Sequence, residues 1–238
     1  MSTREQVQQL ARPFVERSHD LALIGREIAL LPVHHIARSI YIDRTSIKGM
    51  IQPFWRVSML FGPPSSTTGW GDRLPVDGQY IGGSDARDIF EREADRCLNE
   101  ILRPISTIEA LRVLPSRNYG IRVLTELQEC LISLAAGRFD QVAELLSTFI
   151  PGQRESLRRE RQFVDANFRH GKRPWTWMMS PVVAGEERLV HLEQLLHVVG
   201  TGNPQAIADL LQGWEHHNAM EDRLHDVWKP TRFPFEVA

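Results

Sequence analysis

Between residues 36 and 61 apolar side chains recur at every second position, whereas from residue 84 almost to the C-terminus they recur with helical spacing. A strand sends successive side chains to opposite faces, and a helix gathers i, i+3, i+4 and i+7 on one face, so the two stretches demand different elements. Ile36, Arg38, Ile40 and Ile42 alternate with Ala37, Ser39, Tyr41 and Asp43; beyond a turn at Lys48-Gly49, the residues Ile51, Pro53, Trp55, Val57, Met59 and Phe61 share one face. The pair predicts an antiparallel hairpin. Pro53 has no backbone donor, which places its strand at an edge or places the proline at a strand end. Leu21 to Leu31 offers a further strand. The fold class expected is α+β: a small N-terminal antiparallel sheet with a helix, then a predominantly helical part built of helical hairpins.

The N-terminal helix is expected over residues 3–18, with Val7, Leu10 and Phe14 as its apolar stripe and Ser2 and Glu5 as a capping box. Pro13 predicts a kink or a later start. Residues 62–83 hold six of the 16 glycines and three prolines, so they form either a strand around Trp70 to Val76 or a functional loop. Ser84 can cap a helix that runs to Leu102 and stops at Pro104, with a short helix following over 106–114. The organisation expected is residues 1–83 and 84–238 sharing one core, since no flexible linker separates them.

An internal correspondence appears at an offset of 65 residues: Leu127, Leu131, Gly137, Ala143 and Leu146 match Leu192, Leu196, Gly202, Ala208 and Leu211, and Leu124 matches Leu189. Each copy reads as helix, glycine turn, helix, with Gly137 and Gly202 where a helix end wants a left-handed residue. Two copies fall short of the roughly three that a solenoid needs, so a bundle with repeat character is expected.

Composition narrows the function classes. Lys and Arg number 28 against 30 Asp and Glu, a net charge of −2, which supplies no global attraction to polyanions. Two cysteines, Cys97 and Cys130, make no disulfide framework and suit a reducing compartment. The polar start is unlike a secretory signal and no apolar run approaches about 18 residues, so a cytoplasmic protein with no membrane partner is expected. No phosphate-cradling Gly-rich motif, no Gly-x-Ser-x-Gly elbow and no Cys-x-x-Cys occurs, and no cofactor is expected.

Three constellations carry candidate chemistry. On a continuous helix from Pro204 to Trp228, His217, Glu221 and His225 fall within an arc of about 80° at roughly 100° per residue, beside Trp214 and Leu224. Two imidazoles and a carboxylate so spaced suit a metal site or acid–base work in a hydrolase. His34-His35 supplies either a histidine paired with Asp43 or Asp72, or one satisfying loop carbonyls. Residues 154–177 combine Arg154, Arg158, Arg159, Arg161, Arg169, Lys172 and Arg173 with Trp175 and Trp177, a pattern able to grip nucleic acid, although Asp165 sits within the stripe and can pair with Arg161 and Arg169.

The reading these features favour is a soluble, non-enzymatic protein-binding module: an adaptor, a regulator or an immunity-type protein that neutralises a toxin. The short sheet joined to helices is loosely similar to bacterial proteins found near toxin genes. Another protein is the expected partner, a homodimer is compatible with the apolar hairpin faces, and nucleic acid is disfavoured by the net charge. The binding residues expected are Trp70, Arg158, Arg161, Trp175 and Trp177, because Trp and Arg anchor interfaces. The alternatives are a metal-dependent hydrolase using His217, Glu221 and His225, and a nucleic-acid binder using 154–177.

Overall fold

A computed structural model describes residues 2–64, 69–76, 83, 85–112, 125–168, 170 and 172–237. The fold is α+β, with a five-stranded antiparallel sheet in the N-terminal part and helices after it. Ser84 and the last two residues of the expected 106–114 helix lie outside the described residues; within them, 109–112 form a short 3-10 turn. Contacts divide the chain into two compact units. One comprises Met1–Leu60, Thr68–Leu124 and Asn218–Thr231; the other comprises Phe61–Thr67, Thr125–His217 and Arg232–Ala238.

The sheet runs β1 (Leu21–Ile24), β2 (Glu27–Leu30), β3 (Ile36–Arg44), β4 (Ile51–Met59) and β5 (Gly69–Arg73), each antiparallel to the next. The expected hairpin is β3–β4, in register from Ile36 opposite Met59 to Arg44 opposite Ile51. Its strict alternation survives in β4, where every odd residue from Ile51 to Met59 is buried. The single strand expected at 21–31 is two, because Gly25 takes φ +65° and closes a two-residue hairpin turn with Arg26.

Pro53 does not mark an edge, for β4 lies between β3 and β5. Its carbonyl accepts from Leu74 N–H at 2.8 Å, one residue past the end of β5, while opposite it Ile42 N–H turns away to Arg26 O at 3.0 Å. The missing donor therefore faces Leu74 at the end of the β4–β5 ladder, where the Leu74 carbonyl accepts from Val76 N–H at 2.7 Å instead. β5 lies flat against β4 because of its glycines. A Cβ on Gly71 would stand 2.5 Å from the Trp55 carbonyl, and one on Gly69 2.8 Å from that of Val57.

Helix α1 (Arg4–Val15) buries Val7, Leu10 and Phe14, as its stripe predicts. Its capping box is shifted by one: Thr3 and Gln6 exchange the two bonds. Ser2 is occupied elsewhere, its hydroxyl accepting from Arg26 Nη2 at 2.8 Å and its carbonyl from Arg26 Nη1 at 3.2 Å. Arg26 Nε donates to Ile42 O at 2.8 Å, so one buried guanidinium ties the start of the chain to β3. Helix α2 (Ala86–Cys97) continues as a π-helical turn through Leu98–Leu102. Phe90 of α2 meets Phe14 of α1 edge-on at 6.0 Å. Just past α2, Arg103 holds Asp20 with both arms of its guanidinium, at 3.0 and 3.2 Å.

On the other sheet face, Ala29, Ala37, Val33 and Leu60 form a buried cluster with Ala219 and Leu224 from the C-terminal part of the chain. Arg56 reaches from β4 to Glu27 at 3.3 Å and to Asp222 at 3.0 Å, and Asn218 donates to Leu60 O at 2.6 Å. Lys229 N–H bonds Val33 O at 3.0 Å, and Val33 bridges Trp228 in parallel.

The second unit holds α3 (Glu126–Ala135), α4 (Phe139–Asn167), α5 (Arg173–Gly200) and all but the last residues of α6 (Pro204–Glu221). Gly137 (φ +81°) and Gly202 (φ +64°) take the left-handed conformation between α3 and α4 and between α5 and α6. α4 and α5 each run through a proline, Pro151 and Pro181, so the basic stretch 154–167 is the second half of one long helix.

α6 ends at Glu221, not near Trp228. Arg223 adopts φ 59°, its N–H bonds Met220 O, and Leu224 N–H bonds Ala219 O at 2.7 Å. This is a Schellman stop, completed by apolar contact between Leu224 and Ala219 in the buried cluster.

Two tests follow from these contacts. A non-glycine residue held left-handed costs on the order of 1 kcal/mol, so Arg223→Gly should raise the urea midpoint by the equivalent of roughly that amount. Hydrogen bonding and charge attraction from Arg103 hold the Asp20 carboxyl below its ordinary range despite burial. A depressed native pKa gives stability that is present above the unfolded value and lost as pH falls through the native one, hence below about pH 4. Asp20→Asn should therefore be less stable at neutral pH and lose less between about pH 5 and 2, as denaturation midpoints across pH will report.

Candidate binding surface on the α4–α5 hairpin

α4 and α5 pack antiparallel, with Leu157 and Val164 on one seam and Met179, Val182, Gly185 and Leu189 on the other. Gly185 eases the close approach: a Cβ there would stand 2.5 Å from the Leu157 side chain, which would have to shift. Ion pairs run along the outside of the seam. Arg154 pairs with Glu193, and Arg161 grips Glu186 with both arms, Nε donating to Oε1 at 2.8 Å. Arg158 bonds Glu155 within α4 at 2.9 Å, and Arg159 approaches the same carboxylate at 3.6 Å. These hydrogen bonds push the Arg161 and Arg158 guanidinium pKa values upward and the Glu155 carboxyl downward. The basic stripe of α4 is therefore matched by acids, two of them on α5, at positions that lie 25 and 39 residues away in sequence.

Near the α4–α5 turn the surface becomes aromatic. Trp175 lies half-buried against Val164, Met179 and Val182. Its indole N–H donates to Asp165 at 3.0 Å, and the His170 ring lies beside it at 4.1 Å, tilted by 49°. Asp165 thus fixes the indole, a role its expected pairing with Arg161 did not anticipate; Arg169 lies outside the described residues. Trp177 is 75% exposed and Phe163 56% exposed, and farther along α5 Val183 and Val190 also face water. Phe163 escaped the sequence reading because it lies one position off the Leu157–Val164 seam.

Trp70 does not belong to this surface. It is 7% exposed, opposite Val57 in the sheet, because strand alternation turns it toward the core between two glycines.

His217, Glu221 and His225 are all exposed. The Schellman stop at Arg223 takes His225 off the helix, so the i, i+4, i+8 register ends at Glu221, and His225 faces Asp226 at 3.3 Å instead. Glu221 is not embedded in an apolar stripe either, because the buried side of α6 is Ile207, Ala208, Leu211, Trp214, Glu215 and Ala219. The buried carboxylate of α6 is Glu215, which is fully enclosed and which the sequence reading did not single out. His191 packs edge-on against Trp214 at 6.0 Å. Among the described residues no group of three or more His, Cys, Asp or Glu side chains is placed to hold a metal ion. His34 Nδ1 lies 3.0 Å from Lys229 O and 2.9 Å from the Thr231 hydroxyl, which is the carbonyl-satisfying arrangement.

Burial pushes the Cys97 and Cys130 thiols up to about 12, overriding the opposing pull of Arg96 on Cys97. A raised native pKa keeps the thiol protonated while the unfolded thiol ionises, so the stability it contributes is complete below the unfolded value and is lost as pH rises from about 9. Neither thiol should react with iodoacetamide at pH 8 in the native protein, and both should react in denaturant; alkylation counted by intact mass reads the difference. Among the described residues no helix is long and apolar enough to cross a membrane. No protein-family model, no curated protein and no solved structure matches this chain.

Proposed function

We propose that this chain is a non-enzymatic protein-binding module, acting as an adaptor, a regulator or an immunity-type neutraliser, and that it engages its partner through the α4–α5 hairpin. The observation that carries the reading is Trp177, a tryptophan three-quarters exposed on a helix whose neighbours are fixed. Exposed Trp side chains that become enclosed by a partner are among the largest contributors to interfaces. The surroundings are preorganised: Asp165 locks Trp175, and ion pairs from Arg154 and Arg161 hold α5 against α4. Little side-chain order then remains to be imposed on binding. Arg158 and Arg161 belong to this surface as its charged border, and their acidic neighbours weaken any general attraction for nucleic acid.

Replacing Trp177 with the photo-crosslinking residue benzoylphenylalanine and irradiating the producing cells tests the reading. A discrete protein adduct is expected from position 177 and none from the exposed position Arg92 on α2. An adduct of twice the chain mass identifies a second copy as the partner. No adduct, or the same smear from both positions, would defeat the reading. Trp177→Ala should leave stability within about 0.5 kcal/mol of the parent, since the side chain is mostly in water.

A further inference from the structure

We infer that the groove between α3 and α4 is a docking site for a basic amphipathic helix of a partner protein. The inference rests on the protein-binding reading and deepens it by naming a partner chemistry. The groove encloses about 470 Å³ and is floored by Leu127, Cys130, Leu145 and Phe149, with the carboxylates of Glu126 and Glu144 on its rim. Neither rim carboxylate has an ion-pair partner among the described residues, and both are exposed. From Thr125 to Gln153 the chain carries four acidic residues and a single basic one, Arg138, which is absent from the groove lining. An occupant must therefore offer apolar anchors to the floor and positive charge to the rim.

The chain itself supplies a comparison. Leu127 and Phe149 correspond, at the 65-residue offset, to Leu192 and Trp214. Leu192 and Trp214 are buried, at 1% and 5% exposure, with His191 against the Trp214 ring. Leu127 and Phe149 are only half-buried. The same register that is covered on the α5–α6 hairpin is left open on the α3–α4 hairpin. The groove walls are side chains on two helices and present no unpaired strand edge, so an occupant has to satisfy its own backbone groups, which a helix does. The buried Cys130 thiol, pushed up to about 12, stays neutral and acts as part of the apolar floor.

A short fluorescein-labelled peptide of Leu and Lys in an amphipathic-helix pattern is the probe, titrated against the full chain by fluorescence anisotropy at about 0.15 M salt. Saturable one-site binding is expected, with no binding of the matching Leu/Glu peptide. Glu126→Gln/Glu144→Gln should weaken the Leu/Lys peptide by about tenfold without altering the far-UV circular dichroism, since both positions face water. Glu126→Lys/Glu144→Lys should transfer the preference to the Leu/Glu peptide, and Trp177→Ala should change neither. Absence of saturable binding, equal binding by the parent and the Gln variant, or loss of binding in Trp177→Ala would each overturn the groove assignment. Those results leave the cross-link at position 177 untouched. Loss of that cross-link with peptide binding retained would instead remove the α4–α5 surface.

Discussion

The nine-residue pairing of β3 with β4 is the constraint on which the first unit depends. With every second side chain of β4 buried, a slip by one residue would put Trp55, Val57 and Met59 into the place of Arg56 and Ser58. The register therefore fixes which residues point each way, and much else is attached to those directions. Arg56 is aimed toward Glu27 and Asp222, and Ala37 joins Ala29 beneath Ala219 and Leu224. Trp70 is drawn to the same side as Val57 and is enclosed. Arg26, at the β1–β2 turn, extends the order to the chain start through Ser2.

In the second unit the corresponding role falls to charge matching along an apolar seam. Arg154 and Arg161 find Glu193 and Glu186 across the α4–α5 interface, so a segment that is basic in sequence is close to balanced in space. Exposed pairs of this kind contribute modestly to stability, but they orient α5 and with it Trp175 and Trp177. The balance also divides the unit's surface into distinct chemistries: an aromatic region near the α4–α5 turn and an acidic, leucine-floored groove between α3 and α4. In the reading proposed above, both surfaces serve recognition of another polypeptide, with their ionisable residues as rim groups.

Much of the architecture was legible from periodicity. Alternation at 36–61 marked the hairpin, the Val7–Leu10–Phe14 stripe marked the first helix, and Gly137 and Gly202 marked two turns that adopt left-handed backbone. The misreadings share a cause. Pro53 was read as marking an edge or a strand end, because its missing donor looks costly until the Leu74 carbonyl it faces is found occupied by Val76 N–H. The end of α6 was hidden because an arginine, Arg223, occupies a position where glycine usually advertises the stop. The apparent cluster of His217, Glu221 and His225 was a product of extending that helix from Glu221 to Trp228, about two turns too far.

By itself the amino-acid order determined which segments are strand and which are helix, because the spacing of apolar residues is a local property that each element must satisfy before it can bury a face. Only the tertiary structure decided which charges are balanced, which tryptophan is enclosed and which groove stays open. Those outcomes depend on side chains brought together from distant parts of the chain, as Glu186 is to Arg161 and Leu224 is to Ala29, and no local period encodes such meetings.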